Sequence, residues 1–453
     1  MIKCRSFIAA AAAALMVTGC FAPDKGGMEY TGEVTSAQAQ TSAAVSDTTE
    51  AVPSQEETTT QAPALVEEMD YSDGLATLTN YIDDTYMAKA DMFHYTDDTA
   101  VAGVIKKAMA GEDITIAVIG GSITQGTISN GAGDSEVGFR TCYADLFFKW
   151  WEDMFPDITV NKINAGIGAT GSYIGVHRLA TDVLAYDPDL VLVEFAVNDA
   201  GSKTSRVTYE NIVRNILSYK SNPAVIMLIM GQTNGSSDQE NEIIVGAHYK
   251  LPMLSYANCI NMLIADGVYS SPVLSGDTVH PSAMGHAIVG EILWKYLNNV
   301  YHNRDIYPSY EGFDRESLAP IGSEKYKDCA IIDSDDVEPD DYGTFEKSKK
   351  FAQFPNDYTS KEGDGGLTFT LTFRNLGVLY YRTTNGKGAK YDVYVDGEKV
   401  STLNGDFPGG WGSYAEASEV FKSDAEAEHV VKFVKAGDSA GEEFTVLGLM
   451  VSK

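Results

Sequence analysis

The chain has few cysteines, and their placement excludes two common structural roles. Among its 453 residues there are 5 cysteines. They are Cys4, Cys20, Cys142, Cys259 and Cys329. The last three are an odd, scattered set without a C-x-x-C pair, so they give neither a disulfide framework nor the ligand spacing of a zinc site. We therefore expect these three to be buried apolar residues.

Basic residues are also scarce. The chain holds 33 Lys and Arg against 64 Asp and Glu, which gives a formal net charge of −31 at pH 7. Nucleic-acid phosphates would be repelled by this charge, so nucleic acid is excluded as a partner. The acidity suits a secreted protein that acts on neutral or weakly charged substrates, and most of it is solvated surface.

The apolar run at the N-terminus is too short to cross a bilayer comfortably, and it has the form of a targeting segment. Lys3 and Arg5 precede the run FIAAAAAALMV. The following Val17-Thr18-Gly19-Cys20 resembles a bacterial lipobox, with valine where leucine is commoner. Residues 1–20 are thus predicted to be a lipoprotein signal peptide, with Cys20 lipidated. The alternative is an ordinary secretory signal with a chance cysteine, and both place the protein outside the cytoplasm.

The lipobox predicts a location as well. A protein lipidated at Cys20 is held on the extracellular face of the bacterial cell membrane, and this anchor would be its only contact with the membrane. Residues 21–68 contain almost no large apolar side chains, so they cannot bury enough surface to fold. We interpret them as a flexible tether between the anchor and the folded part.

Two further domains are predicted beyond the tether. Residues 69–305 alternate strand-like apolar runs with amphipathic helices, residues 306–325 form a linker, and residues 326–453 contain strands without helical crossovers. Four nearly continuous apolar runs have strand length: 114–120, 159–166, 189–197 and 224–231. Such runs are typical of parallel strands covered on both faces. The first domain is therefore predicted to be an α/β three-layer sandwich with a parallel sheet.

The C-terminal segment is predicted to be a smaller all-β sandwich. Residues 367–374 alternate apolar and polar side chains, and Asp396-Gly397 between two strands signals a hairpin. The stretch DFPGGWGSY places Trp411 and Tyr414 on a glycine-rich loop. Aromatic side chains on such a loop can stack on sugar rings, which makes both residues candidate carbohydrate contacts. The alternative is that they cover the edge of the sandwich.

The stretch AVIGGSITQG, residues 117–126, poses the functional question. The spacing from Gly121 to Gly126 imitates a P-loop, but Thr127 and Ile128 stand where the Lys–Ser/Thr pair must follow. It is not the G-x-S-x-G elbow either, because Thr124 replaces the last glycine. Two interpretations of this stretch remain: a nucleophilic serine, or the end of a strand without a chemical role. Residues elsewhere in the chain distinguish them.

Polar residues follow each predicted strand, where a parallel sheet forms its site. The first strand ends at Ser122, the second in NAGIGATGS and the third at Asn198, and a later loop reads SGDTVHPSAMGH. Ser122 needs a base to act as a nucleophile; His280 can be that base, and Asp277 can orient it. The amide of Ser122, an amide of the glycine-rich turn and the side chain of Asn198 can bind an oxyanion. Pro281 makes His280 the expected cap of the next helix.

These four blocks, in this order, resemble the SGNH (GDSL-like) hydrolase family. They read GGSIT, NAGIGATGS, AVND and DTVHP, and they span residues 114–295. The resemblance implies a flavodoxin-like fold and the catalytic residues Ser122, Asp277 and His280. Departures are Gly121 for aspartate, Ala169 at the usual oxyanion glycine and Ala196 for the glycine of the third block. For the second-block donor we assign Gly168, with Ala169 as the alternative.

The resemblance also implies a function. Extracellular members with an appended β-sandwich resemble carbohydrate esterases, so the expected reaction is hydrolysis of O-acetyl esters on xylan- or mannan-type polysaccharides. The expected partner is an acylated carbohydrate, and no metal or organic cofactor is implied. Three alternatives stay open: a lipase or phospholipase, an acyltransferase with the same triad, and a non-catalytic glycan-binding lipoprotein.

Other polar residues favour structural roles. Asp199 is interpreted as a hydrogen-bonding partner at a strand end. Glu194 with Asp199 imitates a glycosidase pair, but a buried carboxylate that faces away from the site is the preferred interpretation. His177, His248 and His286 lack partners at metal-ligand spacing, so surface or core positions are expected for them.

Overall fold

The computed structural model describes residues 81–91, 96–199, 201–363 and 365–453. The predicted signal peptide with Cys20, the tether and the start of the predicted α/β domain lie outside these residues. Within the described ranges, no helix combines the length and the apolar character needed to cross a membrane.

Five parallel strands form the central sheet of the first domain. They are β1 (Ile114–Gly120), β2 (Val160–Gly166), β3 (Leu190–Glu194), β4 (Ala224–Ile229) and β5 (Met253–Ser255). The strand order β2-β1-β3-β4-β5 is that of flavodoxin-like folds and confirms the predicted class. The third strand ends at Glu194 rather than at residue 197, and β5, only three residues long, was not predicted.

Helices cover both faces of this sheet. They are α1 (Asp84–Ala90), α2 (Thr99–Met109), α3 (Ser122–Gln125), α4 (Asp134–Val137), α5 (Tyr143–Met154), α6 (Ser172–Asp182), α7 (Lys203–Leu217), α8 (Gln239–Tyr249), α9 (Tyr256–Ala265), α10 (Ser271–Leu274) and α11 (Ala283–Asn303). Short 3₁₀ turns occur at Leu184–Tyr186, Arg304–Ile306 and Arg315–Ser317.

Alternate residues of β1 enter different cores. Ile116 and Val118 pack into one cluster, while Ala117 and Ile119 pack into another on the opposite face of the sheet. A strand buried on both faces has no polar alternation, which explains the continuous apolar runs in the sequence. The three-layer arrangement therefore follows directly from those runs.

The C-terminal part forms an antiparallel sheet. Its strands are β6 (Cys329–Ile332), β7 (Phe345–Ser348), β8 (Asp357–Ser360), β9 (Leu367–Arg382), β10 (Lys390–Val395), β11 (Glu398–Asn404), β12 (Tyr414–Lys435) and β13 (Thr445–Ser452). They are ordered β11-β10-β12-β9-β13-β8-β7, and β6 pairs with β13. Asp396 and Gly397, with φ of 54° and 86°, form the predicted two-residue turn between β10 and β11.

This sheet folds over on itself. Phe345 lies on the edge strand β7, yet its ring centroid is 5.3 Å from that of Tyr391 on β10, near the opposite edge. The long strands β9 and β12 carry register shifts, which bend a sheet. The enclosed side chains form one apolar core, so the fold is the expected sandwich.

Helix α6 seats the β-sandwich on the α/β domain. The Tyr173 hydroxyl lies against Gly377, whose Cβ, if present, would stand 2.2 Å from it. The ring of Tyr326 packs edge-on against Tyr173, and its hydroxyl donates to Glu419 on β12. Lys325 also donates to Glu419, at 3.0 Å. These contacts hold strand β12 next to the helix that begins at the second sequence block.

The three described cysteines are free thiols. Cys142 and Cys259 are buried as expected, whereas Cys329 is only partly buried. Burial raises the pKa of each thiol to about 12, so none of them is poised as a thiolate nucleophile.

Candidate active site

The first sequence block places Ser122 at the carboxyl end of the sheet. Strand β1 ends at Gly120, Gly121 precedes the helix, and Ser122 is the first residue of the one-turn helix α3. The helix ends at Gln125, and its C-cap Gly126 takes the left-handed conformation with φ of 111°. This sharp strand-to-helix turn leaves the Ser122 side chain half-buried at the sheet edge.

Ser122, His280 and Asp277 form a continuous hydrogen-bonded series. The Ser122 Oγ is 2.9 Å from His280 Nε2, and His280 Nδ1 is 2.7 Å from Asp277 Oδ2. Because the carboxylate accepts from Nδ1–H, Nε2 carries a lone pair and accepts from the serine hydroxyl. The structure therefore joins the three residues that the sequence assigned to catalysis.

The loop before α11 fixes the histidine. Asp277 Oδ1 accepts the backbone N–H groups of Val279 at 3.0 Å and His280 at 2.8 Å. The Ser129 hydroxyl donates to the His280 carbonyl at 2.6 Å. The predicted cap was wrong, however: Ser282, two residues later, caps the helix by accepting from Gly285. His280 is thereby left free to turn toward Ser122.

Asp277 stays ionised in this arrangement. Its partial burial opposes ionisation, but hydrogen bonds from the ring and backbone of His280 hold its pKa below the ordinary value. An ionised acceptor keeps the His280 tautomer fixed and stabilises an imidazolium when one forms.

Two backbone donors near Ser122 are unused. Within the described chain, the N–H groups of Ser122 and Ala169 have no acceptor. The Gly168 N–H instead donates to the Gln125 side chain at 2.7 Å, so our assignment of Gly168 as oxyanion donor is not supported. The alternative, Ala169, has φ of 60°, a conformation that favours glycine. Its backbone angle explains why glycine is usual at this position.

Asn198 completes this side of the site. Its side chain is exposed and makes no hydrogen bond within the described residues. Asp199, beside it, accepts from the Ser172 N–H at 2.8 Å and so ties the third block to the start of α6. Burial raises the pKa of Asp199 to about 7, and this carboxylate has the structural role proposed for it.

Glu194 does not face away from the site, and that expectation was wrong. Its side chain is fully buried beneath the serine turn, where Oε2 accepts from the Thr124 hydroxyl at 2.8 Å. It therefore cannot reach solvent or substrate, which excludes the glycosidase pairing with Asp199.

The three histidines that the sequence placed on the surface or in the core have protein partners. The buried His286 accepts from the Tyr143 N–H and donates to the Thr127 carbonyl, and burial lowers its pKa to about 4. His177 lies 2.8 Å from the Tyr173 carbonyl, and His248 lies 2.9 Å from that of Ala319. In the part of the chain that the structure describes, no group of three or more His, Cys, Asp or Glu side chains is arranged to hold a metal.

A groove of about 360 Å³ begins beside the oxyanion side of the site. One wall holds Ala169, Asn198 and the amino-terminal ends of α6 and α7, and the other is strand β12 of the sandwich. Its hydroxyl- and carboxylate-bearing lining residues are Ser172, Tyr173, Asp199, Ser202, Thr204, Ser205, Thr208, Tyr414, Glu416 and Glu419. The polar groups of this lining that face the groove can hydrogen-bond to a hydroxylated ligand.

Aromatic side chains stand at the β12 end of this groove. Trp411 is 73% exposed, so it does not cover the sheet edge. Its ring stacks on Tyr414 with centroids 5.0 Å apart, and Phe407 packs edge-on against both. The Arg382 guanidinium lies over Phe407 at 4.8 Å and donates to the Tyr414 hydroxyl. The cluster therefore offers a rigid, open ring face.

Sequence reasoning missed several contributors. Gln353, between β7 and β8, donates to Gln125 at 3.2 Å and so links the sandwich to the serine helix. Glu416 on β12 accepts from the Tyr414 hydroxyl at 2.6 Å and lines the groove. Neither residue lies in a motif, and only the docking of the two domains brings them here.

This fold and geometry define a class: a flavodoxin-like α/β domain that carries a serine, a histidine and an aspartate in hydrogen-bond contact, with an appended β-sandwich. Residues 118–288 match the family model of the GDSL-like Lipase/Acylhydrolase family. The α/β domain is similar to that family over these residues, and the chain is an ester-hydrolysing enzyme.

Solved structures extend the likeness to both domains. A crystal structure of a two-domain esterase (CEX) active on acetylated mannans, co-crystallized with mannopentaose, matches with 26% identity and a TM-score of 0.69. The match covers 79% of this chain and 95% of that one. A second structure of a two-domain esterase (CEX) active on acetylated mannans gives 26% identity, a TM-score of 0.70 and coverage of 79% and 96%.

A more distant likeness covers a smaller part of the chain. An acetylxylan esterase from Geobacillus stearothermophilus is 19% identical over 41% of this chain and 94% of that one, with a TM-score of 0.33. No match was found among curated proteins.

Proposed function

We propose that this protein is a serine esterase that removes O-acetyl groups from plant polysaccharides of the mannan or xylan type. The observation that carries the proposal is the series Ser122–His280–Asp277, in hydrogen-bond contact beside unused N–H donors and a polar groove. The serine is positioned for attack, the histidine for proton transfer, and the groove for a hydroxylated polymer.

The reaction proceeds in two acyl transfers. Ser122 Oγ attacks the acetyl carbonyl while its proton moves to His280 Nε2. The tetrahedral intermediate collapses, the sugar oxygen leaves with the proton from His280, and the acetyl group stays on the serine. Water then gives a proton to His280 and attacks this ester, which releases acetate and restores the serine hydroxyl.

The oxyanion forms next to three donors. We propose that these are the N–H groups of Ser122 and Ala169 and the side-chain amide of Asn198. The first two are the unused backbone donors, and the Asn198 amide has no competing hydrogen bond among the described residues. Preorganised donors of this kind stabilise the charge that develops in the transition state. Gly168 keeps its bond to Gln125 and holds the turn in place.

The groove supports a carbohydrate substrate. Its polar lining begins at Ala169 and Asn198, where the acetyl carbonyl would lie, and it ends near Tyr414. An exposed ring such as that of Trp411 can stack on a sugar farther along the polymer. The two-domain esterase active on acetylated mannans, which matches over both domains, points to the same substrate class.

Activity on three substrates tests this function. Acetate release is measured from acetylated mannan, acetylated xylan and an aryl acetate with the wild type, Ser122→Ala and the control Ser401→Ala, a serine of β11. Wild type and control should be active, and Ser122→Ala should lose several orders of magnitude in rate. Equal inactivity of all three proteins on all three substrates would refute the esterase proposal and favour glycan binding.

We further propose that lipidated Cys20 holds the enzyme at the outer face of the bacterial membrane. The lipobox-like Val17-Thr18-Gly19-Cys20 supports this location. Full-length protein expressed in a bacterial host should partition with membranes, and Cys20→Ser should lose both the lipid label and that partition. Membrane association that persists in Cys20→Ser without a label would contradict the anchor.

A further inference from the structure

A buried carboxylate lies directly beneath the serine turn, and it takes no part in the proposed acyl-transfer steps. Glu194 is the last residue of β3 and pairs in register with Gly120, the last residue of β1. A Cβ on Gly120 would stand 2.8 Å from Glu194 Oε2 and 2.1 Å from Thr124 Oγ1. Because residue 120 is glycine, the Glu194 side chain can cross under the turn and reach Thr124.

Three fully buried side chains are linked at this point. Thr124 Oγ1 donates to Glu194 Oε2 at 2.8 Å and lies 2.6 Å from the Tyr143 hydroxyl. A threonine has a single hydroxyl hydrogen, so while Thr124 donates to the carboxylate, Tyr143 must donate to Thr124. The series Tyr143–Thr124–Glu194 thus connects the start of α5, the serine helix and the end of β3.

The serine helix depends on such external contacts. Helix α3 has only four residues, far fewer than an isolated helix needs to be stable. Its position is set by the Thr124 side chain, by the Asn164 amide that donates to the Thr124 carbonyl at 2.9 Å, and by buried Ile123. Ser122 lies two residues before Thr124, so a displacement of Thr124 moves the attacking oxygen.

The burial of Glu194 costs free energy. It is fully buried, and its Oε1 has no hydrogen-bond partner among the described residues. Burial raises its pKa to about 7, although hydrogen bonds from Thr124 and the Gly121 backbone act to lower it. A buried carboxyl group with an unpartnered oxygen costs free energy that an apolar side chain would not. We therefore look for a compensating role in the contact that Glu194 makes with Thr124.

We propose that Glu194 is a positioning residue for the nucleophile, acting through Thr124 to set the place of Ser122. This inference rests on the proposed function, in which Ser122 is the nucleophile. The carboxylate receives the Thr124 hydroxyl, Tyr143 fixes that hydroxyl from the other side, and the one-turn helix is held in the geometry that brings Ser122 to His280.

A serine-directed fluorophosphonate tests the inference without relying on substrate binding. In labelling, the Ser122 oxygen bonds to phosphorus, the phosphorus–fluorine bond breaks, fluoride leaves and His280 takes the hydroxyl proton. Mass spectrometry of the full-length wild type identifies the labelled residue. If Ser122 is not labelled, the proposed function fails, and that outcome is distinct from the outcomes for the variants.

Four variants and a control distinguish a positioning role of Glu194 from a purely structural one. Thr124→Val and Glu194→Leu should label Ser122 about 30- to 100-fold more slowly and lose kcat to the same extent, with KM on an aryl acetate within about 2-fold. Thr124→Ser and Glu194→Gln keep the hydroxyl and the acceptor oxygen, so both should label within about 5-fold of wild type. Thr445→Val, which removes a buried threonine hydroxyl in the β-sandwich, should label at the wild-type rate.

A purely structural role predicts a different result. In that case Thr124→Val would lower the melting temperature and the titrated fraction of active sites, but the folded fraction would label at the wild-type rate. That result would overturn the inference. If Glu194→Leu does not fold, the Thr124→Val and Thr124→Ser pair decides alone.

Discussion

The side-chain amide of Asn198 occupies the space that a side chain on Gly121 would need. A Cβ on Gly121 would stand 2.2 Å from Asn198 Oδ1. The first and third sequence blocks therefore meet in direct contact, and glycine before the serine is a condition for Asn198 to reach the site.

Gly121→Ala should displace Asn198 and remove one oxyanion donor. We expect kcat on an aryl acetate to fall by about 10²- to 10³-fold, the usual cost of losing one such donor, with little change in KM. Asn198→Ala should give a loss of the same size, and the double variant should add little to it. Gly437→Ala, at a position with open space around it, is the matched control. Full activity of Gly121→Ala would show that Asn198 is not a donor.

Asp277→Asn should inactivate the enzyme while preserving the loop. The asparagine oxygen can still accept the backbone N–H groups of Val279 and His280, which Asp277 Oδ1 accepts now. The charge and the acceptor for His280 Nδ1–H are lost, so we expect kcat to fall by about 10⁴-fold. Steady-state kinetics and a thermal melt measure the two effects. A large loss of stability with active residual protein would contradict this role.

The left-handed backbone of Ala169 gives a graded test of the second donor. A non-glycine residue there costs roughly 1–2 kcal/mol, and a β-branched one costs more. Ala169→Gly should keep kcat near the wild-type value, whereas Ala169→Val should distort the turn and lower kcat at least about 10-fold. The same pair at Ala224, a buried residue of β4 that does not line the groove, controls for side-chain size. Wild-type kcat in Ala169→Val would exclude its N–H as a donor.

Glu194→Gln should change how stability depends on pH. The pKa of Glu194 is raised from the ordinary 4.5 to about 7 because the side chain is buried. Between these values the folded chain binds more protons than the unfolded chain, so the free energy of unfolding falls as pH rises from about 4.5 to about 7. Glu194→Gln lacks this titration, so its free energy of unfolding relative to that of the wild type should rise by on the order of 3 kcal/mol from pH 4.5 to pH 7.

Urea unfolding at pH 4.5, 6 and 7.5 measures this gain. The surface substitution Glu112→Gln should follow the wild-type profile. A constant difference between Glu194→Gln and wild type at all three pH values would show that the carboxyl group does not titrate in this window.

Trp411→Ala should separate polymer binding from chemistry. The exposed ring stands at the end of the groove, so we expect KM for acetylated mannan to rise about 5-fold, since stacking on one ring contributes roughly 1 kcal/mol. Both kcat and KM on an aryl acetate should stay unchanged. Tyr186→Ala, another exposed aromatic residue, is the control. An equal loss on both substrates would place Trp411 in a structural role.

Much of the fold could be read from the sequence because its cause is local. The apolar run at residues 114–120 became β1 without a change of boundary, and the pattern around Tyr143 became α5. Burial of an element on one or both faces produces a characteristic pattern of apolar residues in the sequence, and Asp396-Gly397 is a recognisable turn signal. Ser122, Asp277 and His280 could be picked out as candidates because three short blocks follow successive strand ends, which a parallel sheet brings to one edge, and the fourth block precedes the last helix of the domain.

Contacts between distant segments produce no local pattern of this kind in the sequence. The sequence could not show that Gln125 takes the Gly168 N–H, that Glu194 crosses under Gly120, or that β12 forms a wall of the groove. Each depends on the direction of a side chain or on the docking of two domains, and these are fixed by packing in three dimensions. The sequence alone thus predicts four of the five parallel strands and the three candidate catalytic residues, whereas packing between distant segments sets the contacts that hold these residues and the groove beside them.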